Sequence, residues 1–180
     1  WKYPFGDAIK GAGTLYYNKN AESEEGKLVV LQGSRQSASS DYNYRGISAV
    51  SGEELFRMKV ERTRSNSRDA DGSALIVGDT AYIGLENGIF KVFNPNDDYA
   101  TASGKFYEPE LFNELNLFTS KDLSRRGGNI ITESSPAYLD GKVYIAAGSG
   151  YVYGYNISSG EIDWEYFIGS DLNGSPVVTE

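Results

Sequence analysis

The chain of 180 residues contains no histidine and no cysteine, a single methionine and only five prolines. Without histidine and cysteine it cannot assemble Ser-His-Asp or Cys-His nucleophilic machinery, a disulfide, or His/Cys ligation of zinc, haem or an iron–sulfur cluster. Carboxylate, amide, hydroxyl, lysine and arginine chemistry remain. The lack of cysteine leaves the redox compartment open and is compatible with an extracytoplasmic one. Apolar residues never run on for the ~20 positions that a membrane-spanning helix needs, and a signal-peptide pattern is not expected within an internal segment. Positive charge is also scarce. Seventeen Lys and Arg against 25 Asp and Glu give a net charge of -8, which argues against a nucleic-acid surface, because phosphate binding depends on clustered cations.

Glycine (21) and tyrosine (14) are abundant, as turns and strand faces require. The stretch "GKVYIAAGSGYVYGYNISSGEIDW", 141 to 164, places three glycines after an apolar strand, where phosphate-cradling loops occur. A dinucleotide fingerprint needs its last glycine to open a helix. Here Tyr151, Val152, Tyr153 and Tyr155 follow and favour a second strand, so Ser149-Gly150 reads as a hairpin turn. The unit recurs. Residues 71–94 lie without gaps over 133–156 at a shift of 62 positions, matching Ser73 to Ser135, Tyr82 to Tyr144 and Gly88 to Gly150. "GKLVVLQGS" (26–34) matches "GKVYIAAGS", and "SGEELFR" (51–57) matches "SGEIDWE", with Phe56 in the place of Trp164. "WKYPFGDAIKGAG" at the start lies over "WEYFIGSDLNGSP" from Trp164.

Such copies of a unit too small to bury both its faces predict four-stranded antiparallel blades stacked into a β-propeller. The expectation is an all-β propeller segment of about three blades, at roughly 11–60, 70–130 and 133–168, with the start of a further blade at 172–180 and one short helical insertion. Because known propellers close with four or more blades, the segment is expected to be part of a larger propeller. Trp1, Phe56 and Trp164 fall at the position that docks one blade on the next. That role implies a cost of about 3–5 kcal/mol for Trp164→Ala.

The pattern, clearest in "SSPAYLDGKVYIAAGSGYVYGYNISSGEIDWEYFIG", resembles the pyrroloquinoline-quinone-like propeller repeat. That family includes quinoprotein alcohol dehydrogenases and non-catalytic relatives of the outer-membrane-assembly lipoprotein type. The resemblance is strong over 133–176, good over 71–94, partial over 1–60 and absent over about 96–130. In the family's topology, the loop entering each first strand and the loop between second and third strands gather on one face. Carried over to this chain, that face has Asp7, Lys10, Asp69, Asp71, Glu133, Asp171 and Asn173 on its entering loops. Arg35 to Tyr44, including Tyr42, together with Glu86, Asn87 and Ser149 lie on its hairpins. The resemblance implies a recognition or assembly platform for a protein or peptide, extracytoplasmic and bacterial, in the periplasm or at the cell surface. A membrane enters only through an anchor outside the segment.

The alternatives are a quinoprotein dehydrogenase using pyrroloquinoline quinone with calcium, and a glycan-binding or glycan-active propeller. The family's enzymes hold the quinone on a tryptophan beside adjacent cysteines, a calcium ion and a catalytic aspartate. This chain has no Cys-Cys pair, its two tryptophans sit at docking positions, and no acidic residue matches the catalytic one. The reading therefore leans away from an enzyme and assigns no catalytic residue and no cofactor.

Local signals are weaker. "RDADGS" has carboxylates spaced as in a calcium loop, but Gly72 comes fourth from Asp69 rather than sixth, so no metal is assigned. "NPNDD" (94–98) reads as a turn, and the sequons at Asn156 and Asn173 carry no function. "RMKVERTRSNSRD" gathers Arg57, Lys59, Arg62, Arg64 and Arg68, read as a solvated strand face and a polar loop, and Arg125-Arg126 recur before the next blade. Two departures from the repeat stand out. "RQSASSDYNYRG" (35–46) is a Ser-, Asn- and Tyr-rich insertion of the kind found in adaptable recognition loops. In "PELFNELNLF" (109–118), the spacing of Leu111, Phe112, Leu115 and Phe118 predicts a short helix across the blade edge.

Overall fold

The computed structural model describes residues 1–37, 40–104 and 106–179. Ala38 and Ser39 of the first insertion, and Glu180, lie outside the described residues. Three four-stranded antiparallel sheets follow one another along the chain. The first is a meander of β1 (Thr14–Tyr17), β2 (Leu28–Gly33), β3 (Tyr42–Ser48) and β4 (Glu54–Lys59). The second begins with β5 (Leu75–Val77), β6 (Thr80–Gly84) and β7 (Ile89–Phe93). A 3-10 turn (Asp97–Tyr99) and a hairpin of β8 (Thr101–Ser103) and β9 (Phe106–Glu108) come next, before β10 (Leu111–Asn116) completes the sheet against β7. After helix α1 (Ser120–Arg126), the third sheet runs β11 (Ala137–Leu139), β12 (Lys142–Ala146), β13 (Tyr151–Asn156) and β14 (Glu161–Phe167).

Neighbouring sheets pack face to face. Tyr16, Val29, Leu31, Tyr44, Phe56 and Met58 of the first interdigitate with Ala81, Ile83, Leu85 and Phe93 of the second. Tyr82, Phe90 and Val92 on the second meet Val143, Ile145, Tyr153 and Tyr155 of the third. The central sheet is thus covered on both sides, which is why its β7, read as a continuous apolar run around Lys91, is buried at every position. At the inner edge a ladder of hydroxyls joins the first strands. Ser73 Oγ donates to the Ala12 carbonyl at 2.8 Å, Ser73 N–H donates to Ser135 Oγ at 2.9 Å, and Ser135 N–H to Ser175 Oγ at 2.9 Å.

The docking position behaves as a relay toward the next sheet. Phe56 is 1% exposed and meets Phe93 of the second sheet edge-on, with Gly46 opposite it in the ladder leaving room for the ring. In the second sheet the corresponding residue is Asn113, paired with Val92. It reaches the third sheet with hydrogen bonds instead, to Tyr155 Oη at 3.2 Å and the Gly160 carbonyl at 2.6 Å. Trp164, opposite Gly154, is 44% exposed, and its ring contacts among the described residues, Tyr144 and Tyr166, are on its own sheet. Trp1 is 65% exposed and donates to the Ala49 carbonyl at 2.9 Å.

One sequence expectation is corrected here. Residues 111–116 are a strand and not a helix. β7 presents an open edge whose N–H and C=O groups must be paired, and Asn113, Leu115 and Leu117 alternate toward the core well enough to serve. Pro109 also biases Glu108 to extended backbone. The helix lies later, at Ser120–Arg126. Its start is a capping box in which Asp122 N–H donates to Thr119 Oγ1 at 3.3 Å and Thr119 N–H to Asp122 Oδ2 at 2.8 Å.

Two buried phenols make folding sensitive to alkali. Tyr153 donates to the Leu117 carbonyl at 3.1 Å and Tyr16 to Asn96 Oδ1 at 2.6 Å. Burial pushes each up to about 12. A group whose pKa is higher in the folded state stabilises it fully below the unfolded value, about 10, and loses that contribution as pH rises through about 12. We expect urea midpoints to fall between pH 10 and 12. Tyr153→Phe should shallow that fall, and an unchanged slope would exclude Tyr153 as a source.

Candidate functional site

Two tight contacts gather the loops at one end of the first and second sheets. A Cβ at Gly11 would lie 1.9 Å from the Asp71 carbonyl oxygen, and one at Gly33 would lie 2.0 Å from that of Ala70. Only glycine lets the N-terminal linker and the β2–β3 hairpin press this closely on the segment entering β5. The result brings Lys10, Arg35 and Gln36 onto Asp69 and Asp71. Lys10 Nζ lies 2.7 Å from Asp71 Oδ2 and 3.3 Å from Asp69 Oδ2. Arg35 Nε is 3.5 Å from Asp69 Oδ2, and Gln36 N–H donates to Asp69 Oδ1 at 2.9 Å.

The β6–β7 hairpin adds the third acid. Gly88 N–H closes a turn onto the Leu85 carbonyl at 2.9 Å, and Glu86 within that turn is 2% exposed. Carboxylate oxygens of Asp69, Asp71 and Glu86 all lie within 4.8 Å of one another. Burial, reinforced by Asp71 and Asp69, pushes Glu86 up to about 8, with Ser67 opposing.

Beside this cluster opens a polar cavity of about 460 Å³, lined by Arg35, Gln36, Arg62, Asn66, Arg68 and Asp69 among others. Arg68 is held by Asp41 at 2.6 Å, whereas Arg62 is exposed and makes no ion pair among the described residues. Of the arginines expected in a solvated strand face or polar loop, Arg62 and Arg68 therefore face a cavity. Arg57 pairs with Glu54 at 2.8 Å and lies 3.8 Å over the Phe106 ring.

The other residues anticipated for this face separate. Asn87 is buried and structural, donating to the Glu61 carbonyl at 3.0 Å and accepting from Ile89 N–H at 3.1 Å. Tyr44 is corrected from loop to core, and Tyr42 from loop to strand, because β3 begins at Tyr42. Tyr44 then packs edge-on against Phe93 between the sheets. Tyr42 meets Phe106 of the inserted hairpin at 5.0 Å. Asp171 forms a separate group, ion-paired with Arg126 and accepting from Asn129 Nδ2 at 2.7 Å. Arg126 also holds the Gly148 carbonyl at 2.6 Å and Arg125 that of Ser149 at 2.8 Å. Glu133 is half-buried and Asn173 exposed, and neither joins the Asp69 cluster.

No protein-family model matches the chain, and no curated protein matches it in sequence. Solved structures match in shape. BamB from Moraxella catarrhalis aligns over 99% of this chain and 43% of its own, with TM-score 0.61 and 18% identity. Quinohemoprotein alcohol dehydrogenase from Comamonas testosteroni aligns over 89% of this chain and 21% of its own, with TM-score 0.60 and 14% identity. Sqt1 of Saccharomyces cerevisiae aligns over 91% and 39%, with TM-score 0.60 and 12% identity. The fold is a β-propeller arc. Its three sheets are blades, and the chain spans less than half the length of each of these propellers. Among the described residues no helix is long and apolar enough to cross a membrane.

Proposed function

We propose that this arc belongs to a non-catalytic propeller of an extracytoplasmic bacterial protein that recognises or assembles protein partners through the loop face between its first two blades. The observation that carries the reading is the polar cavity beside Asp69. It brings three guanidinium groups, Arg35, Arg62 and Arg68, together with serine and asparagine side chains. Planar guanidinium forks match carboxylates bidentately, so the cavity suits an acidic peptide segment. The resemblance to the outer-membrane-assembly type of propeller supports the same reading. The reading assigns no quinone to this arc. Trp1 donates to the Ala49 carbonyl beside the β3–β4 turn, Trp164 on β14 packs against Tyr144, and the chain has no cysteine to flank a cofactor.

Fluorescence anisotropy with Asp/Glu-rich peptides, set against the same peptides in Asn/Gln form, tests the proposal. Saturable binding of the acidic forms, weakened about tenfold by Arg62→Ala, is the expected result. Binding indifferent to peptide charge and to Arg62 would remove the cavity as the site. Dye reduction on adding pyrroloquinoline quinone with calcium would replace this reading with the dehydrogenase one. Glycan-array binding lost on deleting residues 36–44 would replace it with a glycan reader.

A further inference from the structure

Glu86 occupies a register position that is glycine in the two flanking blades. The shift of 62 sets it over Gly148, and the match of 26–34 with 141–149 sets Gly148 over Gly33. The central blade alone therefore turns a carboxylate into the crowded neck between linker, hairpin and entering loop. Burying a charge-bearing group is costly unless something satisfies it. Yet Glu86 Oε1 and Asp71 Oδ1 are both sealed from solvent with no amide, hydroxyl, lysine or arginine donor on them among the described residues, and the two carboxyl groups meet each other instead. Both belong to the group of acids whose oxygens lie within 4.8 Å of one another.

The geometry points to a binding site for a hard divalent cation of the calcium class, with Asp69, Asp71 and Glu86 as its carboxylate ligands. Calcium bonds oxygen at about 2.3–2.6 Å, so oxygens on opposite sides of one ion stand about 4.6–5.2 Å apart. One oxygen from each of the three acids lies within 4.8 Å of the others, inside the span that ligands of one such ion can cover. Magnesium, at about 2.0–2.1 Å in a rigid octahedron, dehydrates reluctantly and is rarely held by a set of protein carboxylates alone. Lys10 is the cation that now serves Asp69 and Asp71, but its side chain is half exposed and can swing out to solvent when an ion takes its place. Arg35, reaching Asp69 alone, can remain at the rim. The ion would tie the N-terminal linker, the entering loop and the inner hairpin of the central blade through one centre, whatever the neighbouring cavity binds.

The test is titration of the chelator-treated full chain with calcium chloride by isothermal calorimetry, alongside Glu86→Gln and Lys10→Met. One saturable site is expected in the wild type. Glu86→Gln should weaken it about tenfold or more by removing a charged ligand, and Lys10→Met should tighten it by removing the competing ammonium. Calcium binding of equal strength in wild type and Glu86→Gln would place the ion elsewhere and overturn the assignment. No saturable binding in either wild type or Lys10→Met would also overturn it and leave Lys10 as the permanent counter-ion. Should Glu86→Gln fail to fold, the direction of the Lys10→Met change decides alone, and an unchanged or weakened affinity counts against the site.

Discussion

Phe56→Ala is expected to lower the unfolding free energy by about 3–5 kcal/mol, the range for deleting a fully buried aromatic. The ring fills the joint between first and second blades, edge-on to Phe93 and in the same cluster as Tyr44, Met58 and Ile83. Gly46 faces it without a side chain, so no neighbour can move in to fill the void. Trp164→Ala, at the equivalent position of the third blade, should cost only about 1–2 kcal/mol. In the 180-residue chain the indole is 44% exposed and its ring contacts, Tyr144 and Tyr166, lie on its own blade. Urea unfolding of both variants, with m unchanged, checks the contrast. Equal losses would mean that the position acts within its own sheet and not as a joint.

The second large effect is expected at Lys91. It stands in β7 where the third blade has Tyr153, is 1% exposed, and points its ammonium into the joint with the first blade. There Nζ lies 2.8 Å from Glu61, 3.3 Å from Glu114 and 3.0 Å from the Lys59 carbonyl. Both acids are partly solvated while the lysine is not, so most of the desolvation cost falls on Lys91. Removing its partners with Glu61→Gln and Glu114→Gln together should therefore destabilise by about 3 kcal/mol, as an unpaired buried charge does. Lys91→Met, which removes the charge and keeps the volume, should stay within about 1 kcal/mol of wild type or exceed it. A Lys91→Met variant as unstable as the double glutamine variant would show that the ion pairs contribute net stability.

The blade count and the hairpin turns could be read from the sequence because they rest on local, repeated chemistry. Gly88 and Gly150 recur at one shift, and so do the strand faces around Ile83 and Ile145. Where two local signals competed, tertiary structure decided. Leu111, Leu115 and Phe118 keep helical spacing, but the unpaired edge of β7 imposed a strand. The capping box at Thr119 and Asp122 was present in the sequence and marks the true helix. Tyr44 was assigned to a loop because the insertion has no counterpart in the repeat, although its Tyr-Asn-Tyr alternation continues as strand.

The candidate site was half legible. Asp69, Asp71, Glu86 and Arg35 were assigned to one face, but their convergence depends on the close approach of Gly11 to Asp71, which no spacing within one segment encodes. The mismatch of Glu86 with glycine in the other copies was the available signal. A repeat that loses a glycine at a crowded neck has gained a side chain that something must accommodate.

The serine ladder at the inner edge sets a geometric rule for the whole array. Between Ser73 and Ser135, and again between Ser135 and Ser175, a single directional hydrogen bond to a short side chain fixes how near two blades come at their narrow end. The aromatic joints between the sheets, such as Phe56 on Phe93 and Phe90 on Tyr155, bury large apolar rings and supply adhesion between the blades. Inner-edge spacing is thereby separated from adhesion. The spacing at the inner edge of the arc can drift by a change at one serine, while the β8–β9 hairpin adds adhesion, its Phe106 seated against Tyr42 and Arg57 of the first blade.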